Sequence, residues 1–174
     1  MIVKTKHFGE VNLSDDKVIT FDKGIMGLGH LKEYVLIYDE EEGKEPIIYW
    51  LQSLEDSAVA LPVISPFVVK PDYNPLVQQQ LLEPLGDIEK DGTGLFVLLS
   101  VTIPPKLEDI TVNLKAPFII NVDSKKGCQL IAENDDYEIK YRIYDILQEN
   151  KNGQASEENE ELTRKNESPA KEAN

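Results

Sequence analysis

The chain reads as a mostly β protein: a small antiparallel β-barrel-like domain with one or two short helices. Three observations predict it. Short runs of alternating or β-branched apolar residues follow one another throughout the first 150 positions. Gly, Pro, Asn and Asp punctuate the gaps between them. A clear 3.6-residue periodicity surfaces in one segment only, so βαβ units are not indicated.

The strand-like runs begin with Ile2–Phe8, which leads through Gly9 to Val11–Leu13 and then Val18–Phe21. Tyr34–Tyr38 follows, closed by the acidic turn Asp39–Gly43. Ile47–Gln52 and Ala58–Ile64 flank the polar turn Gln52-Ser53-Leu54-Glu55-Asp56, giving strand, turn, strand. Later runs are Leu95–Ile103, Thr111–Leu114, Phe118–Val122, Gln129–Ala132 and Tyr141–Ile146. The helical segment starts at Asn74 as N-cap with Pro75 at the first position. Leu76, Val77, Gln80 and Leu81 share a face, and Pro84 and Gly86 end it. A shorter helical turn is predicted over Leu28–Glu33. Ten prolines require some strands to be edges or to carry bulges, because proline has no ladder donor.

Composition changes near Gln148. Residues 151–174 contain no aromatic residue, and Leu162 is their only sizeable aliphatic side chain. Such a segment cannot bury enough apolar area to offset the entropy of ordering, which predicts a β-barrel domain over 1–150 and a disordered acidic tail over 151–174. Within that tail, Glu157–Arg164 could form a short helix on binding a partner.

The formal charge is −14 and the pI is near 4.5. This surface repels phosphate backbones and so argues against direct nucleic-acid binding; it favours a basic protein partner. Cys128 is the only cysteine, which precludes an intramolecular disulfide and fits a reducing, cytoplasmic setting. Met1–Glu10 alternates apolar and polar residues, unlike a secretory signal, and no apolar run approaches the roughly 20 residues of a membrane span.

Apparatus for catalysis is not visible. Gly24-Ile25-Met26-Gly27-Leu28-Gly29 has the spacing GxxGxG, with no Lys-Ser/Thr pair after it, so it reads as a tight connection rather than a phosphate loop. Asp91-Gly92-Thr93-Gly94 has no second copy to complete an aspartic-protease dyad and reads as a turn. The two histidines, His7 and His30, stand in no zinc spacing and in no nucleophile context. Cys128 is expected in the core. Glu133-Asn134-Asp135-Asp136 lacks the ligand spacing of an EF-hand loop and reads as a charged hairpin tip able to dock a partner. Glu55 and Asp56 as an acid/base pair is the enzymatic alternative, but adjacent strand residues point to opposite faces. No catalytic residue, metal or cofactor is assigned.

Two blocks carry a family resemblance. One is Leu51-Gln52-Ser53-Leu54-Glu55-Asp56 running into Pro62-Val63; the other is Thr111-Val112-Asn113-Leu114-Lys115-Ala116-Pro117 running into Ile120-Asn121. The Gly24–Leu28 loop before Tyr34-Val35-Leu36 is a third, with Met26 where such proteins often have proline. In order and spacing these resemble the flagellar assembly factor FliW family over about Ile2–Leu147. The resemblance implies a non-catalytic β-barrel-like protein, monomeric when free. It would bind flagellin and, alternatively, the RNA-binding translational regulator CsrA, and so relieve repression of flagellin mRNA translation. A dedicated flagellin secretion chaperone that never contacts CsrA is the other reading. The expected partner-binding residues are Gln52, Ser53, Leu54, Glu55 and Asp56 at one turn and Glu133, Asp135 and Asp136 at another. Tyr49, Trp50 and Phe67 are further candidates for apolar anchors, although buried core is the expected fate of each of the three.

Overall fold

A computed structural model describes residues 1–40 and 43–166. Eleven strands are formed by the described residues: β1 (Ile2–Lys4), β2 (Glu10–Asn12), β3 (Ile19–Thr20), β4 (Glu33–Ile37), β5 (Ile48–Ser53), β6 (Ala60–Ile64), β7 (Leu95–Thr102), β8 (Thr111–Val112), β9 (Phe118–Asn121), β10 (Lys126–Gln129) and β11 (Tyr141–Arg142). Seven of them close a ring in the order β7-β6-β5-β4-β3-β10-β9 and back to β7. Closure removes the exposed edges that an open sheet would present. Every pairing in the ring is antiparallel except β3 with β10, which run parallel at Thr20 and Lys126.

The length of β7 makes the closure. Leu95–Leu98 pair with β9, Leu99 and Ser100 with β6, and Val101 and Thr102 with β8, to which β11 adds. Proline in a paired strand is accommodated by the same arrangement. Pro62 pairs with Trp50 on β5, but β6 meets β7 only at Val63 and Ile64, so β6 has one partner strand at that point.

Alternation along the strands sorts side chains into the ring or away from it. Tyr34, Leu51, Val63, Leu98, Phe118 and Ile120 fill one buried cluster around Phe21. The Phe21 ring meets Tyr34 and Phe118 edge-on, with centroids 5.4 and 6.2 Å away. Gly127 on β10 makes room for it: a Cβ there would lie 2.6 Å from the Phe21 ring. On the other face of β4, Val35 and Ile37 are buried under Val3 of the β1–β2 hairpin, which explains why β4 is apolar on both faces. A further cluster gathers Ile64, Leu99, Val101, Ile110, Val112 and Ile143 outside the ring.

Helices depart from the sequence expectation. Residues 74–78 are not helical; a 3-10 helix spans Gln79–Leu85 instead and contains Pro84. Asn74 and Leu76 direct their backbone groups across the chain rather than along it. The Asn74 amide donates to the Tyr137 hydroxyl at 2.7 Å, the Leu76 amide donates to Asn134 Oδ1 at 2.7 Å, and Leu76 O accepts from the Glu133 amide at 2.7 Å. With those groups committed elsewhere the i to i−4 ladder cannot start. Leu28–Glu33 is likewise not helical. Leu28 pairs with Ile25 in an isolated bridge, and the chain then enters β4 at Glu33. A four-residue helix not expected from the sequence, α1 (Pro66–Val69), begins with proline at its first position, where the missing amide costs no bond.

Strand ends shift too. Ile2–Phe8 pairs only to Lys4, Gln129–Ala132 is replaced by an earlier strand over Lys126–Gln129, and Tyr141–Ile146 leaves the sheet after Arg142. From there α2 (Tyr144–Asn166) runs for 23 residues. Its first turns dock: Ile143 is buried, Tyr144 and Leu147 pack beside it, and Asn150 Nδ2 donates to Val68 O at 3.1 Å. Beyond that point the described side chains are exposed, Leu162 among them, and Arg164 approaches Glu160 at 3.9 Å one turn away. Residues 151–166 of the segment expected to be disordered are therefore helical, with their described side chains exposed, and residues 167–174 lie outside the described residues. Removing residues 151–174 should leave the thermal midpoint within a few degrees, since every docked side chain of α2 among the described residues precedes the cut. Calorimetry showing a large loss of cooperativity would mean that the distal helix packs on the body.

Candidate functional site

The turn between β5 and β6 is built from its own polar side chains. Ser53 Oγ accepts from the amides of Glu55 and Asp56, both at 3.1 Å, and Asp56 Oδ1 accepts from the Ala58 amide at 2.9 Å. Gln52 is buried and fully engaged. Its Oε1 accepts from the Lys6 amide at 2.9 Å, while Nε2 donates to the carbonyls of Ser53, Val59 and Ser57 at 3.0, 3.1 and 3.3 Å. Gln52 and Ser53 thus present no side-chain surface to a partner in this conformation; what they contribute is the shape of the turn. Leu54 is half-buried against the Val3–Val35–Ile37 cluster, so it faces the fold rather than standing out as an anchor.

Glu55 and Asp56 are exposed, but Glu55 is also tied inward. Its carboxylate accepts from the amides of Lys32 and Glu33, clamping the turn onto the start of β4, and the Leu54 amide returns a bond to Glu33 O at 2.9 Å. These amides hold the Glu55 carboxyl below its ordinary range. A lowered carboxylate pKa supplies stability above the unfolded value that is lost as pH falls through the folded one. Acid unfolding followed by circular dichroism should therefore show a steeper loss below about pH 4.5 for the native protein than for Glu55→Gln, which does not titrate. Nearby, burial pushes the Tyr34 hydroxyl up to about 12, and Glu55 adds to the shift.

The second predicted docking turn stands against the 74–78 segment. Glu133 Oε1 accepts from Gln78 Nε2 at 2.8 Å, and Asn134 bridges to Asn74 and Leu76. Glu133, Asp135, Asp136 and Glu138 are exposed, and none of the four is ion-paired among the described residues.

A groove of about 370 Å³, not evident from the sequence, joins two of the family-like blocks. Ile25, Met26 and Leu28 of the glycine loop face Ala116 and Phe118, with Leu61, Ile131 and Ile139 completing an apolar lining. Gly24 and Gly27 take positive φ of +71° and +82°, and a Cβ on Gly24 would lie 2.5 Å from Gly29 Cα, so only glycine lets the loop fold back this tightly. Gln129 fastens the loop to the second block: its Oε1 accepts from the Met26 amide at 2.9 Å, and its Nε2 donates to Ala116 O at 3.2 Å. Asn113 Oδ1 turns the second block by accepting from the amides of Lys115 and Ala116 at 2.9 and 3.1 Å. The signal available in the sequence was Met26 itself, an unbranched apolar residue at the tip of a glycine turn.

None of the three aromatic candidates is fully buried, contrary to the core position expected for each: Phe67 is exposed on the short helix α1, and Tyr49 and Trp50 are half-buried, with Trp50 4.0 Å from the His7 ring. Cys128 is buried, and burial pushes its thiol up to about 11, which leaves it unreactive. The Asp91–Gly94 segment is a turn, with Asp91 Oδ1 accepting from the Thr93 amide at 2.9 Å. No helix among the described residues is long and apolar enough to cross a membrane.

Comparison with known proteins places this architecture. The model of the FliW protein family matches residues 2–143, ending one residue before α2. The chain is 45% identical over 148 residues to the flagellar assembly factor FliW of Lachnoclostridium phytofermentans, covering 85% of this chain and 94% of that one. It is 41% identical over 152 residues to the protein of the same name from Thermotoga maritima, covering 87% and 98%. A crystal structure of a flagellar assembly factor FliW superposes with a TM-score of 0.72 at 28% identity, over 83% of this chain and 97% of that one. With the ring of strands and both sequence blocks matched along nearly the whole length of these relatives, the chain belongs to the FliW family.

Proposed function

We propose that this protein is a non-catalytic, protein-binding regulator of flagellar assembly that exchanges two partners in the cytoplasm. Flagellin occupies it while subunits accumulate; export of flagellin frees it to bind CsrA and relieve repression of flagellin mRNA translation. The observation that carries the reading is the match to flagellar assembly factors over nearly their full length. The surface chemistry supports it. A regulator that binds RNA must be basic where it does so, and a body carrying most of a −14 charge attracts such a surface and adds negative potential along the RNA path. Flagellin requires apolar anchors besides charge, and the groove beside Met26 offers them.

A pulldown with the full chain from motile cells tests the reading. Recovery of both flagellin and CsrA is expected. Flagellin alone would leave a dedicated secretion chaperone, and recovery of neither would end the proposal.

A further inference from the structure

We infer that the cleft between the distal part of α2 and the β4–β5 connection is a docking site for an arginine-bearing segment of a partner protein. This deepens the reading of the chain as a protein-binding module and rests on it. The cleft encloses about 1160 Å³. Its floor is the start of β5, with Ile48 and the half-buried Trp50, and Pro46 and Ile47 just before it. Its far wall is α2 from Lys151 to Arg164, beyond residue 143, where the match to the family model ends.

The charge that selects the occupant belongs to the lining itself. Asp39 and Glu45 stand on the hairpin side, and Glu157, Glu160 and Glu161 on the helix side. Against these five carboxylates the lining sets Lys44, Lys151 and Arg164, and Arg164 already lies 3.9 Å from Glu160. Asp39, Glu45, Glu157 and Glu161 have no ion pair among the described residues. Carboxylates on facing walls repel one another, whereas a cation placed between them is attracted by both. Trp50 narrows the choice of cation. Its indole lines the cleft, with the His7 ring 4.0 Å away. A guanidinium both stacks on an indole and forks onto a carboxylate, so arginine suits this combination better than lysine.

The helix wall is built to adjust. Docking of α2 on the body reaches Asn150, and the described side chains after it are exposed, so burial does not hold the wall in one place. Gly153, the one glycine of α2, follows Asn152 just past that last contact, and both are weak helix formers. A bend there lets the acidic face of the wall settle onto an occupant.

The test titrates the full chain with a Gly-Ser-Arg repeat peptide of about nine residues, which spans at most about 30 Å. Trp50 is the only tryptophan, so its emission reports from the cleft floor. A saturable change in that emission is expected. The Gly-Ser-Lys peptide should bind several-fold more weakly, and the Gly-Ser-Glu peptide should cause no change. Glu157→Gln with Glu161→Gln, and separately Asp39→Asn with Glu45→Gln, should each weaken the arginine peptide at least fivefold; all four positions are exposed. Glu83→Gln with Glu89→Gln removes the same charge from exposed positions outside the cleft and should leave the affinity within twofold. A silent Trp50, equal binding of the lysine peptide, or equal weakening by the Glu83 and Glu89 pair would each overturn the inference. Capture of flagellin and CsrA by the same protein separates the two levels. Capture without a peptide response fails the cleft alone, and a peptide response without capture fails the partner assignment alone.

Discussion

Gln52→Ala is expected to destabilise the protein by about 2–4 kcal/mol, the largest effect of any substitution in the β5–β6 turn. The side chain is buried and makes four hydrogen bonds, one to the Lys6 amide and three to carbonyls on both arms of the hairpin. Truncation leaves those groups short of partners and opens a small cavity between the β1–β2 connection and the ring. For a chain of this size the thermal midpoint should fall by roughly 6–12 °C. Glu55→Gln keeps an acceptor near the Lys32 and Glu33 amides and should lower the thermal midpoint at neutral pH far less than Gln52→Ala does. Calorimetry showing equal losses for the two would contradict the assignment of Gln52 as the interior post of the turn. The same geometry changes how the turn can be probed for recognition. Charge reversal at Glu55 and Asp56 would strip three amides of their acceptors, so the amide variants are the cleaner test.

Association with CsrA is expected to slow at least tenfold as salt is raised from about 0.05 to 0.5 M, with dissociation changing much less. Among the described residues few acids are ion-paired: Asp15 with the N-terminus, and Asp22, Asp72, Asp109 and Glu160 with Lys or Arg. Most of the described carboxylates therefore contribute to the long-range field that steers a basic partner. Screening beyond a Debye length of about 8 Å at physiological ionic strength removes that steering first. Stopped-flow traces at several salt concentrations read it directly. A rate independent of salt would place the interaction on apolar contacts instead.

The β-rich class and nearly every strand were legible because alternation is a local signal: Tyr34 and Val35 point to different buried faces as period two requires. What the sequence hid was non-local. Asn74-Pro75 has the composition of a helix start, yet Asn134 and Tyr137, about sixty residues away, take its backbone groups and hold it extended. Gln52 and Ser53 looked like surface acceptors because polar residues in a turn usually are, whereas here they supply the interior bonds of the turn. The groove was invisible for the same reason: Met26, Ala116 and Ile139 become neighbours only once the ring closes and Gln129 ties the glycine loop down.

The exchange of partners is tested most directly by following a labelled flagellin leader RNA bound to CsrA in fluorescence anisotropy. Adding the full chain should release the RNA, and adding flagellin afterwards should restore its binding by drawing the chain away. RNA that stays bound when the chain is added, or stays released when flagellin follows, would contradict the exchange.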